Sequence, residues 1–269
     1  MSYACKTLIN TANELASREK RLSICLGANG FSFTEVTSSG LLLTFGEAEG
    51  HHAATMTGVM ADVKAFFASV GIRPLGYAAM ELVVLTDEST WVPDELYSSM
   101  ANRNYLRLVG STPDMLMTYH SKALAATAVF AANEQVVTAF KVAMPGVTVM
   151  HQHAKMAQMA PRSADHPVLM AHWRQGRVDL AAFRDGRYLY GNTLRHTDDS
   201  EAVYHAVEVM KCYNLEEPGT ELLVCGEVNR DRYALLTPYF PKATLFNGNY
   251  KASPELRGLH TYRHALILM

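Results

Sequence analysis

Apolar and polar positions alternate strictly near the start of the chain. Phe31-Ser32-Phe33-Thr34-Glu35-Val36 alternates residue by residue, and similar runs lie at 22–26 and 41–45. Gly27-Ala28-Asn29-Gly30 and Ser38-Ser39-Gly40 separate them. Period-two runs divided by Gly, Asn and Ser predict three strands in an antiparallel meander. The spacing then changes to three and four at Met56, Val59, Met60, Val63, Phe66 and Phe67, which marks a core-facing helix ended by Gly71 and Pro74. A buried strand follows at 78–85, then strand-like runs at 124–130 and 147–150 with a helix at 134–142 between them. Residues 1–20 read as an amphipathic helical lead-in, with Leu8, Ala12 and Leu15 on one face.

The second half repeats this order. Strands are predicted at 168–173, 178–183 and 188–194, with turns at Gln175-Gly176 and Asp185-Gly186. Asp198 can cap the next helix, and Glu201, three residues on, completes a capping-box-like pair. Val203, Ala206, Val207, Met210 and Tyr213 form the apolar face of that helix, before a strand at 221–225, a helix at 232–239 and a strand at 243–246. The same series thus occurs at 21–150 and at 167–247. This predicts an α/β fold of two ribonuclease H-like lobes, the actin-like ATPase fold, each a mixed sheet with an antiparallel three-strand meander plus helices. Lobe I covers 21–160 and lobe II 167–269, joined through Pro161-Arg162-Ser163-Ala164-Asp165-His166-Pro167. A doubly wound sheet fits so hairpin-rich a start poorly.

With 49% apolar and 19% charged residues, the chain has ample core. A formal charge of −2, and no basic cluster beyond Arg18-Glu19-Lys20-Arg21, exclude a nucleic-acid partner. Cys5, Cys25, Cys212 and Cys225 lie far apart and form no C-x-x-C pair, which suits a reducing compartment. Lys6, Asn10, Asn13 and Glu14 interrupt any signal-peptide core, and no window approaches the ~18 apolar residues that insert into a bilayer. A cytoplasmic protein is expected.

Several short motifs resemble a bacterial family of unknown function. They are Leu22-Ser23-Ile24 with Gly30-Phe31-Ser32-Phe33, Trp91-Val92-Pro93, and Tyr190-Gly191-Asn192-Thr193 leading to Thr197-Asp198-Asp199 and Val203-Tyr204, continuing through Gly226-Glu227. The resemblance implies an actin-like ATPase fold, distantly similar to assembly proteins of the PilM and GspL type, and it brings no activity with it. Actin-like ATPases hold phosphate and Mg²⁺ at two hairpins, where a carboxylate serves the metal and small residues let backbone N–H groups approach the phosphates. Carried onto this chain, that cleft involves Gly27, Asn29, Gly30, Gly176, Gly226 and Glu227. Neither turn carries a carboxylate: the first reads Leu26-Gly27-Ala28-Asn29-Gly30-Phe31 and the second His172-Trp173-Arg174-Gln175-Gly176-Arg177. Ordinary turn chemistry explains the glycines without a ligand.

Other candidates are thinner. If 147–153 is one strand, His151 and His153 point to the same side and offer two metal ligands, with His120 or His166 as a third. His51-His52 follows a glycine and reads as loop. Asp198-Asp199 reads as helix capping, and Met150, Met156 and Met159 as core in preference to an adaptable binding surface. No Ser or Cys has an activating motif, so no catalytic residue, metal ligand or cofactor is assigned. The expectation is a non-catalytic actin-like scaffold that binds another protein or a second copy of itself, with room for a small molecule in the interlobe cleft. The alternative is an ATPase or phosphotransferase with a non-standard site, in which Asp179 or Glu227 reaches the cleft.

Overall fold

The computed structural model describes residues 4–10, 19–28, 30–50, 55–113, 115–159, 166–216, 219–248, 250–251 and 260–268. The first lobe is built on β1 (Ala4–Asn10), β2 (Lys20–Gly27), β3 (Gly30–Thr37), β4 (Leu42–Glu49), β5 (Ala79–Val84) and β9 (Thr148–His151), in the order β1-β4-β3-β2-β5-β9. The predicted meander forms β2, β3 and β4, and β5 and β9 continue the sheet in parallel. Helix α1 (Met56–Ser69) starts where Thr55 accepts a hydrogen bond from the Gly58 N–H, and it buries Val59, Val63, Phe66 and Phe67. With α3 (Glu134–Ala143), these side chains pack on Leu22, Ile24, Phe31 and Phe33 of the sheet.

The helical lead-in needs correction. Residues 4–10 are strand β1, paired antiparallel with β4 from Ala4↔Glu49 to Asn10↔Thr44, while 11–18 fall outside the described residues. A short isolated helix is marginal in water, and an unpaired sheet edge offers a full ladder instead.

Between β5 and α3 the chain inserts a small antiparallel sheet of β6 (Ser89–Pro93), β7 (Met115–Ser121) and β8 (Ala126–Ala132), ordered β6-β8-β7, with α2 (Asn102–Leu108) beside it. Of these elements the sequence pattern showed only β8.

The second lobe repeats the plan of the first. Strands β10 (Val168–Arg174), β11 (Arg177–Arg184), β12 (Arg187–Arg195), β13 (Glu221–Gly226) and β14 (Ala243–Leu245) stand in the order β12-β11-β10-β13-β14. Helix α5 (Asp199–Cys212) begins as expected, with Asp198 accepting from the Glu201 N–H at 2.9 Å. The return bond of the box reaches one residue further back, from the Thr197 N–H to Glu201 Oε2. Helix α6 (Arg230–Leu236) is capped in the same way by Asn229.

A middle layer separates the two sheets. It contains α4 (Gln152–Met159) and a 3-10 segment, Thr261–Ile267. Met156 and Met159 are buried there with Ala265 and Leu266, against Met170 and Cys225 of the second sheet. The core expectation for those methionines holds. The 3-10 segment lies in the lobe II half of the sequence, yet this end of the chain also fastens to lobe I: Thr34 Oγ1 donates to the Ile267 carbonyl at 2.6 Å, and Leu41 bridges to Lys251. His51-His52 and the junction residues 161–165 fall outside the described residues.

Candidate functional site

Both lobes turn the carboxyl ends of their parallel strands toward each other, which is where open α/β sheets place ligands. A cleft of about 740 Å³ opens there. Its walls are the β2–β3 turn at Gly27, Ala28 and Gly30, the β10–β11 turn at Arg174 and Gln175, the loop Gly226-Glu227-Val228-Asn229, and Arg263 and His264 of the terminal segment. Gly27, Gly30, Gly226 and Glu227 therefore share one space. Gly176 stands just behind it in the β10–β11 turn, where its carbonyl accepts from the His196 N–H, and Asn29 lies outside the described residues.

Two of the glycines are fixed by close backbone approach. Gly30 has φ +130°, and a Cβ there would overlap the Ala48 carbonyl of β4. Gly226 has φ +87°, and its Cβ would overlap the Trp173 backbone of β10. At Gly27 an added Cβ meets nothing nearer than 3.7 Å.

Behind the cleft lies a buried polar cluster that follows from strand register. His172 of β10, Asp179 of β11 and Thr193 of β12 are direct cross-strand neighbours on one face. Arg174, two residues beyond His172, shares that face. Its guanidinium grips the wholly buried Asp179 carboxylate in a two-pronged pair at 2.8 and 2.7 Å, and His172 Nδ1 stands 2.8 Å from the same group. Thr193 Oγ1 donates to it at 2.6 Å and Gln152 Nε2 at 3.2 Å. Burial by itself would raise the Asp179 pKa, but Arg174 and the hydrogen bond from His172 outweigh it and hold the carboxyl well below the ordinary range. Asp179 thus does not reach the cleft. Glu227 does, exposed at its mouth, with Glu47 and Glu49 on the opposite wall and His264 Nε2 at 3.3 Å from Glu47.

On the far side of Gly27 and Ala28 lies a second cavity, lined by Asp87, Glu88, Ser111, Asn133, Thr193 and Arg195 among others. Asp87 is the residue that sequence reasoning missed. It ties the lobes together through Arg177 and Arg195 of the second sheet, at 3.0 and 2.8 Å. Within the first lobe's stretch of chain, Lys155 of α4 pairs with Glu81 of β5 at 2.5 Å. The available signal was the polar run Thr86-Asp87-Glu88 directly after an apolar parallel strand, a usual ligand position in α/β sheets.

The histidine pair departs from the sequence reading. The strand ends at His151, and His153 is already helical, so alternation does not set their directions. The rings stack with centroids 5.2 Å apart. His153 Nε2 meets Thr193 Oγ1 at 3.1 Å, whereas His120 pairs with Asp94 and His166 with Glu221. Burial pushes the His153 pKa down to about 4 and that of His151 well below its ordinary value. Among the described residues, no three His, Cys, Asp or Glu side chains stand together as metal ligands.

Residues 10–242 match the model of a family described as protein of unknown function, DUF3822. The chain belongs to DUF3822. No curated protein matches its sequence. Among solved structures, this DUF3822 member is similar to a Bacteroides thetaiotaomicron protein with actin-like ATPase fold and unknown function, at 17% identity, TM-score 0.73, over 94% of this chain and 97% of that one. It is also similar to a chain of the PilM–PilN type IV pilus biogenesis complex, at 12% identity, TM-score 0.58, over 93% and 97%. A third likeness is to the ethanolamine utilization protein EutJ of Carboxydothermus hydrogenoformans, at 10% identity, TM-score 0.52, over 97% and 92%. These likenesses show the actin-like ATPase fold. No described helix of the DUF3822 chain is long and apolar enough to cross a membrane.

Proposed function

We propose that this protein is a non-catalytic actin-like scaffold that binds a protein partner, and that its cleft does not serve Mg–nucleotide chemistry. One observation carries this reading. The carboxylate nearest in sequence to the β10–β11 turn, Asp179, is wholly buried and engaged by Arg174, His172, Thr193 and Gln152. Mg²⁺ needs accessible oxygen ligands, and a guanidinium locked on the carboxylate excludes it. Asp87, between the two lobes, is likewise matched by Arg177 and Arg195. In this reading Asp179 and Asp87, each engaged by arginines, are therefore not available to Mg²⁺ in the manner of the fold's ATPases. The arginines supply, from within the chain, the positive charge that a metal would bring. Likeness of fold to a chain of a two-protein pilus biogenesis complex supports a partner-binding role. In this reading the chain divides into lobes near 161–166, and the protein works in the cytoplasm.

The test is a thermal-shift titration with ATP and ADP, with and without Mg²⁺. A ligand that binds only the folded state adds about 2.7 kcal/mol at a hundred times its Kd, a shift that is easily measured. No Mg-dependent shift at millimolar nucleotide is expected. A clear one would sink the proposal and turn attention to Glu47, Glu49 and Glu227 as metal ligands.

A further inference from the structure

Two strand edges face each other across a groove that plays no part in the cleft. β6 is an edge of the inserted sheet, and β12 is an edge of the second lobe's sheet. Edge strands present backbone N–H and C=O groups that no neighbouring strand pairs. In β6 the Asp94 N–H donates to the Ala125 carbonyl, and the Glu88 carbonyl accepts from the Ala131 N–H. Antiparallel alternation therefore turns the backbone groups of even-numbered β6 residues toward β8, and those of Ser89, Trp91 and Pro93 outward. Proline is tolerated at such an outward edge position. In β12 the His196 N–H bonds to the Gly176 carbonyl, which by the same alternation turns Gly191 and Thr193 away from β11. Asn192 Oδ1 takes the Thr193 N–H, so Gly191 keeps the outward donor.

The groove between these edges holds about 640 Å³, well within the roughly 300–1,000 Å³ of binding pockets. Trp91, Leu124, Tyr188, Tyr190 and Tyr213 line it, with polar Thr90 and Asn192 beside them. Trp91 and Tyr188 meet edge to face at 5.9 Å, and Tyr190 leans on Tyr213 at 5.2 Å. Among the described residues that line it, Arg187, exposed on the β12 wall, is the one charged side chain.

We propose that the groove receives an extended peptide segment of a protein partner by strand addition. Its main chain pairs with the outward groups of Ser89, Trp91 and Gly191. Its apolar side chains, at every second position, enter between the aromatic rings, and an acidic residue sits at the Arg187 end. The site rests on the scaffold reading above and gives the partner's recognition element a chemistry.

A random-peptide display library panned on the full chain tests it, with enriched peptides then synthesised and titrated by fluorescence anisotropy. Enriched peptides should carry apolar residues at alternate positions and an acidic residue at one end. Their affinity should fall about tenfold in Arg187→Glu and further in Leu124→Glu, both checked for an unchanged melting temperature. Hydrogen exchange should show the bound peptide protecting the Ser89, Trp91 and Gly191 amides. An empty selection, unchanged affinity in Arg187→Glu, or protection elsewhere would overturn the groove. Those outcomes leave the scaffold reading standing, because a Mg-dependent nucleotide shift, which involves none of these residues, decides that question.

Discussion

The Asp87 carboxylate accepts hydrogen bonds from Arg177 at 3.0 Å and from Arg195 at 2.9 Å, so one acid of the first lobe is held by two arginines of the second. Asp87→Ala should release both. Because Arg195 is 73% exposed, its share is screened, and the expected loss is about 1 kcal/mol. The more telling readout is hydrogen exchange: amides at 85–88 and 193–195 should exchange faster while the α1–β2 core stays protected.

Arg174 and Asp179 should respond unequally to removal of their partner. Arg174→Met strands a wholly buried carboxylate and should cost about 3–5 kcal/mol by urea unfolding. Asp179→Asn leaves a guanidinium that is 17% exposed at the cleft and can reach water. Its cost should be clearly smaller. Equal losses would contradict the geometry described.

The glycines divide into two classes. Gly30→Ala and Gly226→Ala place a Cβ onto backbone at φ +130° and +87°, and each should lower stability by roughly 3 kcal/mol or more. Gly27→Ala meets only ordinary contacts and should stay within about 1 kcal/mol of the parent in a melting scan. If all three melted alike, strain would not be what selects glycine here.

Acid should weaken the fold in two windows. The folded-state pKa values of His153 and His264, pushed down to about 4, mean that the unfolded chain binds more protons between pH 6.5 and about 4, so stability falls as pH drops through that range, and the lowered pKa of His151 acts in the same direction. For His153 this amounts to about 2 kcal/mol at pH 5. The Asp179 contribution is present above the unfolded carboxylate pKa and is lost only below pH 3.8. Urea midpoints at pH 7 and pH 5 should differ less in His153→Gln than in the parent.

The alternating runs around β2–β4 and β10–β12 made both meanders legible, since each strand shows one face to a helix and the other to the middle layer. The strands β6 and β7 were not legible, because β6 is short and β7 carries Thr, His and Ser on half-buried or exposed positions. Strand β1 was hidden for a different reason: its ladder depends on β4, more than thirty residues away. The cleft glycines were found from the turns themselves. Asp87 was not, because its role arises where two lobes meet, which no local window contains; Arg174 and Asp179 are close in sequence, but only the register of the β10–β11 hairpin sets them on one face.

Thr34 and the carbonyl of Ile267 stand 233 positions apart and share a 2.6 Å hydrogen bond. A ribosome releases them in that order, so the first lobe emerges early and waits, its middle-layer face unsealed, until residues 261–267 arrive. Folding cannot proceed lobe by lobe from the N-terminus to completion. Such long-range closure slows folding and prolongs exposure of apolar surface during synthesis.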